Sequence, residues 1–164
     1  MGDYTAPQMK SSIQNTGGGK RNDVQIAPSE KVIRIRHSTN PYQELEMEGS
    51  NSEFAELRSA ILGFCETVEA TAELPAESDF DPSPYQHKLG RLRLCRTEDP
   101  LLISLADGKP FISGKPEFLR LFAENLPWDA RHTSTVPYHV HFDRIGREER
   151  ISEASLDIIL TLKR

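Results

Sequence analysis

The chain is poor in cysteine, with two in 164 residues. Cys65 and Cys95 stand far apart with no C-x-x-C spacing. That spacing favours two separate thiols, one expected in a helix and one in a strand, over a disulfide or a metal site. Apolar runs are short, and none approaches the roughly 18–20 residues of a membrane-spanning helix. The opening MGDYTAPQMKSS has no apolar signal core, so a cytoplasmic chain without a membrane partner is expected. Aromatic residues make up 7% of the chain, few for a sheet that stacks bases among basic residues, and no nucleic-acid partner is expected. There is no G-x-x-x-x-G-K-[ST] loop, no G-x-S-x-G elbow and no dinucleotide fingerprint; GGGKRND follows no strand. No cofactor and no catalytic residue are assigned, since pairing Cys95 with His87 or His139 as nucleophile and base rests on their presence alone.

What the chain does have is charge, unevenly placed. The net charge is −5, yet residues 38–84 hold eleven acidic side chains against the single base Arg58, a segment at −10. The remainder is mildly basic, and an acidic zone of this kind favours a basic partner.

Residues 1–29 are rich in Gly, Ser, Asn and Gln and read as a disordered tail; residues 30–164 read as one domain. KVIRIRH and YQELEMEG alternate apolar with charged residues and predict a strand pair around Asn40-Pro41, with Arg rows beside Glu rows. Ser50 to Glu53 has the form of a capping box, and Phe54, Leu57, Ile61, Phe64 and Val68 follow at helical spacing. TAELPAESDFDPSPY, with its prolines and acids, reads as a long loop that is mobile or functional. HKLGRLRLCR and LLISLADG predict a second hairpin, followed by a Gly108-Lys109-Pro110 turn and a short FIS strand. A helix is expected from Pro116, with Phe118, Leu121, Phe122 and Leu126 on its apolar face.

The halves resemble each other: a strand pair, a helix opening E-F-x-x-L (Glu53-Phe54 to Leu57, Glu117-Phe118 to Leu121), a Pro-Tyr (Pro84-Tyr85, Pro137-Tyr138), then strands. This suggests an internal ββα-ββ duplication. The fold expected is α+β, a mostly antiparallel sheet with two helices packed on one face. The opposite face would then present Arg34, Arg36, Glu44, Glu46, Glu48, Arg91, Arg93, His139, His141 and Asp143.

The one compact cluster of candidate ligands is H-x-H-x-D. On a strand, His139, His141 and Asp143 share one side while Val140 and Phe142 take the other. Both imidazoles could then reach one metal, with Asp143 or His132 as a third ligand, which makes a metal-binding protein or metal-dependent hydrolase the alternative.

Y-H-V-H-F-D, a short charged turn, then I-S-E-A-S-L-D-I-I-L resembles the bacterial polymorphic-toxin immunity proteins, in particular the family numbered thirty-two. The match runs from about Leu102 to the end; residues 1–85 have no counterpart in it. The resemblance implies a cytosolic, non-catalytic, antitoxin-like protein that neutralises a cognate toxin domain. Taken with the acidic zone, it suggests a basic toxin such as a nuclease. The contact residues expected are Glu44, Glu46 and Glu48 with Glu73, Glu77, Asp79 and Asp81, then His139, His141 and Asp143.

Overall fold

The computed structural model describes residues 24–25, 32–129 and 138–163. In chain order the elements are β1 (Val24–Gln25), β2 (Arg34–Ser38), β3 (Glu44–Gly49), α1 (Asn51–Glu66), β4 (Thr71–Pro75), β5 (His87–Leu89) and β6 (Arg91–Arg96). β7 (Leu102–Ala106), β8 (Lys109–Gly114), α2 (Pro116–Glu124), β9 (His139–Phe142) and β10 (Ile158–Leu162) complete the set. The class is α+β with mostly antiparallel pairing, but the strands divide between two five-stranded sheets. Sheet A runs β1-β4-β6-β8-β7 and sheet B runs β5-β2-β3-β10-β9. No helix among the described residues is long and apolar enough to cross a membrane.

Local signals account for the helices. The Ser50 hydroxyl accepts the Glu53 N–H at 3.3 Å while the Glu53 carboxylate accepts the Ser50 N–H at 2.6 Å, so the reciprocal capping box forms. Phe54, Leu57, Ile61 and Phe64 are buried as their spacing requires, whereas Val68 falls past the end of α1 and is exposed. In α2, Pro116 opens the first turn, and Leu119, Phe122 and Ala123 form the buried stripe, with Phe118 only half-buried. The two helices pack against each other, and their stripes join the inward rows of both sheets in one core.

The strands correct several expectations. TAELP is a strand: Ala72 and Leu74 point inward and are buried, and β4 lies beside β6 within sheet A. The proline-rich stretch after it masks this short period-2 pattern. β6 and β7 are not hairpin partners, because β8 lies between them and runs parallel to β6. The hairpin is β7–β8, closed by Asp107 and Gly108, both at positive φ (51° and 69°), a two-residue turn whose twist suits the flanking strands. Lys109 and Pro110, expected in the turn, already belong to β8. The expected tail lies outside the described residues except at β1, whose backbone runs parallel to the edge of β4.

The two halves repeat in topology and exchange strands. β2–β3 lie in sheet B and the β4 and β6 strands that follow α1 lie in sheet A; β7–β8 lie in sheet A and the β9–β10 pair that follows α2 lies in sheet B. Each sheet therefore has a parallel seam between halves, β6 with β8 and β10 with β3. Two further parallel bridges, Arg34 with Glu77 and Leu101 with Ile151, tie the sheets together at equivalent places. Structurally Gly49 corresponds to Gly114 and Phe54 to Leu119, so the E-F-x-x-L match is one residue out of register. The Pro-Tyr match also fails: Tyr85 lies between β4 and β5, Tyr138 directly precedes β9, and Pro137 is outside the described residues.

Replacing Ser50 by Ala removes half of the capping box. We expect a loss of about 1 kcal/mol in unfolding free energy, measured by urea denaturation, with the folded-state circular dichroism unchanged.

Candidate partner-binding surface

The outer face of sheet B carries the predicted Arg and Glu rows. Register sets Arg34 opposite Glu48 and Arg36 opposite Glu46, and continues across β10 through Thr161 and Ile159 to His139 and His141 on β9. Arg91 and Arg93, expected on the same face, belong instead to sheet A.

The charges on this face are tied to one another. Arg36 Nε faces Glu46 Oε2 at 3.1 Å as an ion pair without hydrogen-bond geometry, and its other end reaches Glu48. Thr161 donates its hydroxyl to Glu46 Oε1 at 2.7 Å. Arg34 donates to Glu77 from Nε at 2.8 Å and to Glu48 at 3.3 Å. Lys163 joins Glu53, at 3.2 Å, to Glu77, at 3.7 Å. The hydrogen bond from Arg34 is the main reason the Glu77 carboxyl titrates below its ordinary range. Burial opposes the charge on Glu53, but the Ser50 N–H and Lys163 outweigh it and hold that carboxyl low as well.

The segment between β4 and β5, expected to be mobile or functional, lies across these guanidinium groups. Phe80 sits 5.3 Å from Arg34 and 5.9 Å from Arg36, and Tyr85 is 5.7 Å from Arg36, within cation–π reach. Lys88 donates to the Phe80 carbonyl at 2.9 Å, and Gln86 accepts the Thr39 N–H at 3.0 Å and donates to the Asn40 carbonyl at 3.1 Å. Burial, then Glu46 and Glu44, push the Tyr85 phenol up to about 12.

This geometry redistributes the acidic zone. Glu46, Glu48, Glu53, Glu66, Glu73 and Glu77 are all paired with bases outside it: Arg34, Arg36, Arg91, Arg120 and Lys163. Glu46 is 8% exposed and is no contact residue as the fold stands. Of the expected contact acids, Glu44, Asp79 and Asp81 remain exposed with no ion pair among the described residues. Glu44 borders a cleft of about 370 Å³ with Asn40, Pro41, Tyr42, Pro84 and Tyr85. Tyr42, 75% exposed at the rim, was not singled out from sequence. Its signal was an aromatic residue just after Asn40-Pro41, in phase with the Glu row of YQELEMEG.

His139 and His141 share one face as predicted, both exposed, with ring centroids 5.6 Å apart. Asp143 does not join them: its carboxylate accepts the Ile145 N–H at 3.0 Å and lies 3.9 Å from Arg147. Among the described residues no three or more His, Cys, Asp or Glu side chains converge as a metal site, and His132 lies outside those residues. Cys95 is in sheet A, whereas His87 and His139 are in sheet B. Neither thiol is in a disulfide; Cys65 is buried in α1, which raises its pKa, and Cys95 is on β6.

On the inward side of sheet B, His37 is buried and stacks on His87 at 4.7 Å, with its Nδ1 unpartnered. Burial, then the neighbouring His87, lower its pKa.

Arg36→Met would leave Glu46 and Glu48 short of their counter-charge inside the sheet face. We expect a loss on the order of 3–5 kcal/mol, whereas Glu44→Gln should stay within about 0.5 kcal/mol; chemical denaturation of the two variants decides it. Because the folded chain resists protonating His37, its contribution to stability is complete above the ordinary histidine value of 6.5 and falls away below it. Glu53 and Glu77 titrate below their ordinary 4.5, so their contribution is complete above that value and is lost as the pH drops further. Unfolding free energy measured against pH should therefore decline in two stages, and His37→Phe should remove the upper one.

Compared with known proteins, the chain matches no family model, no curated protein and no solved structure.

Proposed function

We propose that this chain is an immunity-type, antitoxin-like protein that binds and neutralises a cognate toxin domain in the cytoplasm without catalysis. The observation that carries the reading is the cleft between the β2–β3 turn and the β4–β5 connection. There an exposed aromatic ring, Tyr42, stands beside Glu44, a carboxylate with no ion pair among the described residues, while Glu46 and Glu48 of the same strand are held by arginine. An exposed tyrosine next to a free acid suits the arginine- and lysine-rich surface of a nuclease-type toxin. The ring supplies contact area at low entropic cost, and the carboxylate selects for positive charge. Asp79 and Asp81, on the connection that also carries Pro84 and Tyr85, extend the negative rim. The resemblance of the C-terminal histidine strand to the thirty-second immunity family supports the same reading.

The test is growth rescue: the toxin domain encoded beside this gene is induced in a bacterium with and without the chain. Rescue is expected, and Tyr42→Ala with Glu44→Lys should weaken binding by about tenfold or more while leaving the melting temperature unchanged. Full rescue by that double variant would remove the cleft from the interface, and arrest in the presence of wild-type chain would remove the immunity reading.

The second reading, a metal-binding protein or metal-dependent hydrolase, rests on the two adjacent exposed imidazoles of His139 and His141. Elemental analysis of the purified chain separates the two. We expect substoichiometric zinc and manganese, unchanged in His139→Ala/His141→Ala, and stoichiometric metal lost in that variant would favour the second reading.

A further inference from the structure

The outer face of sheet A has the opposite electrostatic character. On β6, Leu92 and Leu94 are buried while Arg91 and Arg93 face outward. β8 runs parallel to β6 with Arg93 beside Phe111, and continuing that register by two residues sets Arg91 beside Lys109. Arg91, Arg93 and Lys109 border a cleft of about 360 Å³ whose wall includes Glu73, Gly90 and Gly108. Gly108 occupies the left-handed region at φ +69°, and open space surrounds the position its missing Cβ would take, so the rim at the β7–β8 turn is unobstructed.

These cations differ from most others on the molecule. Arg34, Arg36, Arg58, Arg120, Arg144 and Arg147 are each paired with a carboxylate, and Arg96 donates to the Phe64 and Cys65 carbonyls. Within the cleft, Arg91 reaches Glu73 at 2.7 Å, but Arg93 and Lys109 are exposed and have no acidic partner among the described residues. The lining thus carries three positive charges against one negative on a chain whose net charge is −5.

We propose that this cleft binds a small soluble molecule through a phosphate group. A phosphate monoester carries about −1.5 to −2 at neutral pH, which matches the surplus of the lining, and it offers oxygens to an arginine fork and a lysine point charge together. Glu73 holds Arg91 across the strands and limits the affinity by repelling the same anion. The cleft volume falls at the low end of small-ligand sites, about 300–1,000 Å³, whereas a single-stranded nucleic acid calls for an extended basic groove with stacking rings. The cations of the site all lie on sheet A and its lining shares no residue with the Tyr42 cleft, so the two assignments fail independently.

The experiment is calorimetric titration of the full chain with inorganic pyrophosphate, at low and raised salt. One-site binding that weakens with salt is expected. Arg93→Ala/Lys109→Ala should reduce the affinity by about tenfold or more, and Glu73→Gln should raise it several-fold. The Glu73 variant keeps the test decisive if the double variant does not fold. No binding at millimolar pyrophosphate, or an affinity unchanged in a folded double variant, would overturn the proposal. So would a fall in affinity in Glu73→Gln, or a response only to a single-stranded oligonucleotide or to anionic phospholipid vesicles.

Discussion

Neither half of the chain completes a sheet from its own strands, and the parallel seams between β3 and β10 and between β6 and β8 supply what is missing. The last strand, β10, lies between β9 and β3, so the C-terminal residues reach the middle of a sheet begun near the N-terminal end. Its Thr161 bonds Glu46 from 115 positions away, and Lys163 stands between Glu53 of the α1 capping box and Glu77 beyond β4. Loss of the β10 seam would therefore weaken one sheet, the cap of α1 and the bridge between sheets together. A single apolar core drawing on both sheets and both helices follows from the same exchange.

The exchange also governs where charge is available. Glu46 and Glu48 sit on β3, flanked by β2 and β10, where water is limited and unpaired carboxylates would be costly. Arg34 and Arg36 satisfy them from the neighbouring strand, and the aromatic β4–β5 connection lies over those guanidinium groups. The acids of this region left exposed and without an ion pair among the described residues include Glu44, at the start of β3, and Asp79 and Asp81 on the β4–β5 connection, with exposed Tyr42 beside Glu44. Sheet A keeps a positive cleft, so the clefts beside the two sheets of one acidic protein differ in sign.

Features written into a few consecutive residues were legible. The capping box and the Phe54-to-Phe64 stripe of α1, Pro116 at the start of α2, and the Arg and Glu rows of β2 and β3 all appear where the pattern places them. The strand period also put His139 and His141 on one face. Errors arose where local signals competed. Ala72 and Leu74 alternate correctly for a strand, but five residues beside a proline-rich stretch read as loop. The E-F-x-x-L repeat matched letters one residue out of register, since the buried position of α2 is Leu119.

By itself, then, the sequence determined the α+β class, the two helices, most strands and the inward face of several of them, though not at Val140, which is 37% exposed on β9, because capping, turn chemistry and side-chain period act over a few neighbouring residues. Only the tertiary structure decided that there are two sheets, that β8 separates β6 from β7, and that six of the eleven acids of the zone are ion-paired to bases outside it. Composition could count the eleven acids of residues 38–84. It could not show that their partners are Arg34, Arg36, Arg91, Arg120 and Lys163, because pairing depends on which strands and helices the core brings side by side.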